Sequence, residues 1–401
     1  MSIDHACSGN IKFAEFFSGI GLVRVGLERA SSSFSCVFAN DLDEKKRKMY
    51  AHHFRCSIDE VNGEDVHLLE SSKIGSIDLA TASFPCTDLS LAGSRGGVHQ
   101  GESSAFWGFH RVLNDMGEQK PTVVLLENVV GLLSSNGGKD FEDVLVSMNQ
   151  LGYLVDPIVL DARWFVPQSR QRMFVVCVLK EQVTNETQVP NVESRIRPAK
   201  LLSFVQARAN CIEWYLNEYP EPPKRSRRSL EDIILDPPEL SEDWWSEDRV
   251  DYLLNQMFPR HLEWIDENID DPEYHYATAF RRVRPQGDGT KRSMAELRTD
   301  GVAGCLRTPK GGSGRQILVR AGLGSVRARL LSPAECASLM GARGFRVSGT
   351  QNQALFGFGD AVCVDAVSWI AKNAILPLLD KASTRFCGYA DSDDRCATIQ
   401  T

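Results

Sequence analysis

Ile11-Lys12-Phe13-Ala14-Glu15-Phe16-Phe17-Ser18-Gly19-Ile20-Gly21 reads as an apolar strand that ends in a glycine turn, and Leu22 to Ala30 continues it as a helix. Glycines there let the backbone approach a ligand, while the helix N-terminus faces negative charge. The spacing is not that of the G-x-G-x-x-G dinucleotide loop, and strand–glycine–helix turns recur across α/β folds. Outward from this turn the pattern repeats. Strand-like runs fall at 35–39, 77–82, 121–126 and 173–178, and helix-like runs at 44–53 and 141–151. This alternation predicts an α/β fold, with a mainly parallel sheet covered by helices on both faces and a ligand at the carboxyl ends of the strands.

The rest of the 401-residue chain bounds the problem. With 42% hydrophobic and 24% charged residues it has an ordinary globular composition. No uninterrupted apolar run approaches the roughly 18 residues of a membrane span, and Met1-Ser2-Ile3-Asp4-His5 lacks a signal-peptide pattern, so a cytoplasmic location without a membrane is expected. The eleven cysteines form no Cys-x-x-Cys pair, and nothing suggests a zinc site or a disulfide framework.

Three regions are expected: a catalytic, cofactor-binding domain at 1–180, a smaller irregular domain at 181–325, and a return segment at 326–401 that completes both. The middle is Pro-rich and charge-blocked, with Tyr219-Pro220-Glu221-Pro222-Pro223 and Trp244-Trp245. Within it, Gly311-Gly312-Ser313-Gly314 predicts a hairpin or loop joining 301–306 to 316–319. Ser332-Pro333-Ala334-Glu335 predicts a capping box, and a last helix is expected from Val362 to Leu376, ending near Pro377. Net charge is −8, yet residues 281–330 carry ten Arg and two Lys against Asp288, Glu296 and Asp300, a local balance of about +9 that could meet a phosphate backbone.

Several side chains stand where chemistry is plausible. Cys86, in Phe84-Pro85-Cys86-Thr87-Asp88-Leu89-Ser90, sits on a turn stiffened by Pro85 after a buried strand, a placement that suits a thiolate nucleophile as well as an inert thiol. Asp41 and Asp43 follow the second strand and could accept from ribose hydroxyls, and Asp65 from an adenine amine, although turn and capping carboxylates look the same in sequence. Glu127 ends the apolar run Val123 to Leu126, where burial should raise its pKa. Arg170 and Arg172, at alternate positions, could orient a carboxylate or grip a phosphate.

In this order the segments resemble the DNA cytosine-5 methyltransferase family. The resemblance rests on Phe-x-Gly-x-Gly at 17–21, Pro-Cys-x-x-x-Ser at 85–90, Glu-Asn-Val at 127–129, Gln-x-Arg-x-Arg at 168–172 and Arg-Leu-Leu-Ser-Pro-x-Glu at 329–335. It implies a Rossmann-like domain using S-adenosylmethionine, with the variable middle as a target-recognition domain. Carried over by position, it implies Phe17, Ser18, Gly19, Ile20, Gly21, Asp41, Leu42, Asp65, Val66, Pro85, Asp360, Ala361 and Val362 around the cofactor. It further implies Cys86 as nucleophile, Glu127 against the edge of a flipped cytosine, Arg172 steadying the base, and Arg170 and Ser90 supporting the loop and DNA. Double-stranded DNA is then the partner, bound by a monomer, with a cognate restriction endonuclease as a further companion.

The pattern departs in places. Thr87 and Leu89 replace the usual glutamine and aromatic residue, Asp41 stands where glutamate is usual, and Asp360 replaces an asparagine, which puts a negative charge beside the cofactor and catalytic loop. The same chemistry on tRNA, or a catalytically weak DNA-binding regulator, are the alternatives. Arg95, Arg307, Lys310 and Arg315 are the remaining DNA-binding candidates, since arginine suits guanine or phosphate. Asp236-Pro237-Pro238-Glu239 superficially matches an amino-methyltransferase motif but carries glutamate where that motif needs an aromatic side chain.

Overall fold

The computed structural model describes residues 10–85, 104–183, 190, 192–237, 241–285, 289–308 and 314–382. Strands β1 (Ile11–Phe16), β2 (Phe34–Asn40), β3 (Val61–Asn62), β4 (Leu79–Ala82), β5 (Val123–Val129), β6 (Tyr153–Asp161) and β7 (Gln171–Leu179) form one sheet in the order β3-β2-β1-β4-β5-β7-β6. β1 to β5 pair in parallel, and β7 enters antiparallel between β5 and β6. Alternation along the strands sorts their side chains between two cores. Ala14, Phe16, Ala80, Ala82, Val124 and Leu126 pack with Phe106 and Phe109 of α3 (Ala105–Asp115) and Phe141 of α4 (Lys139–Gln150), helices that follow α1 (Leu22–Ala30) and α2 (Glu44–Phe54). Phe13, Leu79, Val123 and Leu125 face the other way, toward Val23 and Leu27 of α1.

β6 was not apparent in the sequence, because Asp156-Pro157 interrupts an apolar run and both residues disfavour strands. It lies at the sheet edge, where a proline is tolerated. Asp156 is buried but satisfied by Arg197 at 2.5 Å, Tyr219 at 2.6 Å and the Asn217 backbone at 3.0 Å.

The middle region is more ordered than its composition suggests. After α5 (Ala199–Ala207), helices α6 (Glu247–Leu254) and α7 (Pro259–Asn268) cover a second, antiparallel sheet of β8 (His275–Pro285), β9 (Lys291–Arg298), β10 (Ile317–Gly322) and β11 (Ser325–Leu330), ordered β11-β10-β8-β9. Of the expected hairpin or loop between 301–306 and 316–319, the hairpin pairing is not made. β10 pairs instead with β8 and β11, while Ala303 bridges Gln168 across to the first domain.

Ser332 and Glu335 form the expected capping box at α8 (Pro333–Leu339). Glu335 also takes a two-pronged ion pair from Arg329, at 2.7 and 2.6 Å, with both side chains almost fully buried. The Arg-Leu-Leu-Ser-Pro-x-Glu segment is thus a lock between β11 and α8, made of structural contacts rather than reactive groups. α9 (Gln351–Asp360) and α10 (Val364–Ile370) follow, and α10 passes through a π-turn at Ala371–Ile375 and stays helical to residue 382, beyond the predicted end near Pro377. A π-turn shifts the local hydrogen-bond pattern, which lets a helix absorb a proline that has no N–H. By length and composition the helical stretch 351–382 could cross a bilayer, but 67% of its most apolar window is buried inside the protein. There Val367 and Ile370 pack with Val23 and Leu27 of α1.

Candidate active site

The turn after β1 is held open by backbone conformation. Phe17, Gly19 and Gly21 have φ values of 54°, 58° and 85°, the left-handed region that is unfavourable for a side chain as large as Phe17. A Cβ on Gly21 would lie 2.4 Å from Cε2 of Phe54, so the helix start admits only glycine. A Cβ on Gly19 would meet no protein atom within 4 Å, so this glycine faces open space. Ser18 donates its N–H to Asn40 O at 2.9 Å, and its buried Oγ has no partner.

Asp41 closes this turn from β2. Its Oδ2 accepts from Gly19 N at 2.8 Å and its Oδ1 from Asp43 N at 2.9 Å. Burial pushes its carboxyl pKa up, against the pull of Lys46 and these two backbone donors. Asp41 thus shapes the turn while keeping acceptor capacity on each oxygen. Asp65 accepts from His67 N through Oδ1 at 2.9 Å as a loop cap, and Val66 is buried against α3. Leu42 is 68% exposed beside the turn, while Ile20 is buried in the core behind it.

At the carboxyl end of β5, Glu127 meets Arg172 of the antiparallel neighbour β7, with Nε 3.1 Å from Oε1. Burial raises the Glu127 pKa, and Arg172, Arg170 and Ser83 pull against that rise. Asn128 donates its amide to Phe84 O at 3.1 Å, tying β5 to the segment that leads into Pro85. Cys86, Ser90, Arg95 and Lys310 lie outside the described residues, as do Thr87 and Leu89.

Arg170 is placed differently from its neighbour Arg172. Its guanidinium donates to Leu306 O at 2.7 Å, Gly359 O at 2.9 Å and Ala361 O at 2.6 Å, and it contacts Cys305 Sγ at 3.3 Å. It caps the carboxyl end of α9 and pins the 305–306 loop to it, contacts that position these loops. Gly359 permits this approach, since a Cβ there would lie 2.6 Å from the backbone of Arg307. Asp360, next along, pairs with Lys46 at 2.7 Å, so the negative charge introduced at this position is balanced. Val362 is buried, Ala361 is the C-cap of α9 and Arg307 is exposed.

The C-5 cytosine-specific DNA methylase family model matches residues 11–375, nearly the whole chain. The chain belongs to that family. Among curated relatives it is 25% identical to the type II methyltransferase M.HhaI of Haemophilus parahaemolyticus over 90% of this chain and 94% of that protein. It is 34% identical to M.BanI of Aneurinibacillus aneurinilyticus over 52% of this chain, which spans about half, 49%, of that relative. The fold is similar to that of S. pombe Dnmt2, with a TM-score of 0.60 at 17% identity over 92% of this chain and 99% of that one. An Entamoeba histolytica methyltransferase, EhMeth, gives 0.61 at 15% identity over 92% and 98%.

As a family member the chain is a DNA cytosine-5 methyltransferase that uses S-adenosylmethionine. The β1 turn fits that group: at the N-terminus of α1, beside Asp41, Gly19 has open space where a side chain would stand and the buried Ser18 hydroxyl has no partner. Two residues of the methyltransferase were missed as site-builders. Gln168, fully buried, accepts from Leu306 N at 3.1 Å and donates to Leu339 O at 2.8 Å. Burial alone would raise the Cys305 thiol, yet Arg170, Arg172 and Arg307 together draw its pKa below the ordinary value. The Gln-x-Arg-x-Arg segment pointed to Gln168, whereas nothing local in the sequence marked Cys305.

The Asp-Pro-Pro segment has a structural role. Asp236 accepts from Tyr276 Oη at 2.6 Å and Arg320 Nη1 at 3.0 Å, which fixes it to the second sheet.

Proposed function

We propose that this methyltransferase methylates carbon 5 of a flipped-out cytosine in a specific duplex DNA sequence through a covalent Cys86 adduct. The observation that carries the reading is the Glu127–Arg172 pair at the carboxyl end of β5, joined through Asn128 to the backbone of Phe84, two residues before Cys86 in the chain. Cytosine carbon 5 is a weak nucleophile. Addition of the Cys86 thiolate at carbon 6 shifts electron density to carbon 5. Glu127, whose pKa burial raises, shares a proton with ring nitrogen 3 and stabilises the charge pushed onto the ring. Arg172 holds the Glu127 carboxyl in place, and Arg170 holds the loops around it.

Ser18, Gly19, Asp41 and the α1 N-terminus would hold S-adenosylmethionine, with Phe17 and Leu42 alongside. Bound there, it supplies an electrophilic methyl group. Loss of the carbon-5 proton and elimination of Cys86 restore the aromatic base. A base inside a duplex cannot reach these groups, so flipping must precede chemistry, at a cost of a few kcal/mol. Residues 181–325 serve as the target-recognition domain beside the catalytic domain at 1–180, and the return segment 326–401 completes both, its first residues supplying β11 of the second sheet. The protein acts as a monomer on DNA in the cytoplasm, alone or beside a cognate endonuclease.

Labelled S-adenosylmethionine offered with mixed duplex DNA and, separately, with tRNA tests this reading. Transfer to DNA that Cys86→Ala abolishes is expected, and bisulfite sequencing then gives the target. Better transfer to tRNA, or equal transfer by Cys86→Ala, overturns it.

A further inference from the structure

Much of the basic stretch at 281–330 is self-neutralised. Arg282 and Arg284 face Glu296, Arg298 pairs with Asp300, Arg320 with Asp236 and Arg329 with Glu335. Arg281 and Arg315 stand outside these pairs. With Arg249 of α6 they line one cavity of about 70 Å³, together with Trp245, Gly314, Ile317 and Leu330.

Neutral groups hold the three side chains. The Arg249 guanidinium lies 3.8 Å from the Trp245 ring centre, a stacking distance. Arg281 donates from Nε to Gln256 Oε1 at 2.9 Å and lies 5.7 Å from the same Trp245 ring. Arg315 donates to Asn352 Oδ1 at 2.9 Å, and its buried Nε has no partner. Among the described residues no carboxylate lines the cavity and none of the three arginines makes an ion pair. Burial and the repulsion of Arg281 and Arg315 draw the Arg249 pKa down, so the cluster is electrostatically unbalanced as it stands. Guanidinium forks oriented by neutral anchors around a shared space are suited to a tetrahedral oxyanion.

We infer that Arg249, Arg281 and Arg315 form a phosphate pocket that takes one backbone phosphodiester of the nucleic-acid substrate. The inference rests on the function proposed above. Arg315 lines the cavity and reaches Asn352 at the start of α9, so the pocket lies on the side of the second sheet that meets α9. A strand seated here is fixed in register without its bases being read.

The test uses the full chain with S-adenosylhomocysteine, titrated with its substrate duplex, an unrelated duplex and, separately, inorganic phosphate, at several salt concentrations. Arg249→Gln and Arg281→Gln are each expected to weaken both duplexes by a similar factor, roughly tenfold, and to lower the slope of log affinity against log salt by about 1. Arg249→Lys, which keeps the charge, should restore most of that slope. Unchanged thermal unfolding and cofactor affinity exclude a folding defect in the glutamine variants. Duplex binding that is unaltered in correctly folded variants, or a loss confined to the substrate duplex, overturns the pocket. Loss of inorganic phosphate binding with duplex binding intact also overturns it, since the site would then serve free anions. Weakened duplex binding in a protein that transfers no methyl group supports the pocket and overturns the proposed function. A wild-type chain that binds no duplex overturns both.

Discussion

Lys46 Nζ lies 2.7 Å from Asp360 Oδ2 and joins α2 to the carboxyl end of α9. Burial works against the Lys46 charge, but Asp360 and then Asp41 outweigh it and raise its pKa. A carboxylate at a helix C-terminus opposes the helix dipole, and Lys46 offsets this. Because the Asp360 side chain is 45% exposed, solvent screens the pair. A double-mutant cycle of Lys46→Met and Asp360→Asn in denaturant unfolding should give a coupling of about 0.2–1 kcal/mol that shrinks with salt. Lys46→Met should cost more than Asp360→Asn, since it also strips Asp41 of its cation.

Glu127→Gln should separate stability from activity. A carboxyl whose folded pKa is raised binds its proton more tightly in the folded state, so it lowers stability as pH climbs above the unfolded value. The variant should therefore unfold no more easily than wild type at neutral pH, while methyl transfer falls by a factor of about 10² or more. Tm and single-turnover rates, measured side by side, decide this.

Glu15 carries a larger pH signature in the body of the fold. Burial lifts its carboxyl from 4.5 to about 8, against Arg24, whose backbone N–H donates to Oε1 at 3.3 Å. Its folded pKa is raised, so stability should fall from about pH 4.5 to about pH 8 and then level off. Glu15→Gln should flatten that part of the profile and gain a few kcal/mol above pH 8, on the order set by a shift of this size. Urea midpoints across the range test it, and a wild-type profile that is flat there would contradict the burial argument.

Two glycines of one turn should fail differently. Gly21→Ala combines a φ of 85° with a Cβ 2.4 Å from Phe54, and should destabilise the fold by roughly 2–5 kcal/mol. Gly19→Ala meets no protein atom and should cost only about 1–2 kcal/mol of stability. Its main effect should be weaker binding of S-adenosylhomocysteine, read by calorimetry.

Arg170→Ala should act through the scaffold. It leaves the carbonyls of Leu306, Gly359 and Ala361 without their buried donor, at a cost of about 3–5 kcal/mol. A falling Tm with weakened cofactor binding is expected, whereas lost turnover at unchanged Tm and cofactor affinity would place Arg170 in the chemistry.

The sequence carried local signals faithfully. Glu127 was legible because a carboxylate closing an apolar strand is rare and costly, and the β1 turn because its glycines interrupt a strong pattern. The capping box at Ser332 needed only four neighbouring residues. β6 and the second sheet were not legible, because Asp156-Pro157 and arginine-rich strands break alternation, and burial of their charges depends on distant partners such as Arg197 and Asp236.

By itself the sequence determined the order of strand, turn and helix and the residue types available at each strand end, since backbone preference and hydrophobic period act over a few residues. Only the tertiary structure decided which of two arginines in one short segment meets Glu127 and which becomes a clamp. Arg170 and Arg172 differ by two positions, but one points to carbonyls at 306, 359 and 361 and the other to β5. Likewise the charge of Asp360 looked unbalanced until Lys46, far away in the chain, was folded against it. Ion pairs and buried hydrogen bonds depend on distance and dielectric, and folding sets both.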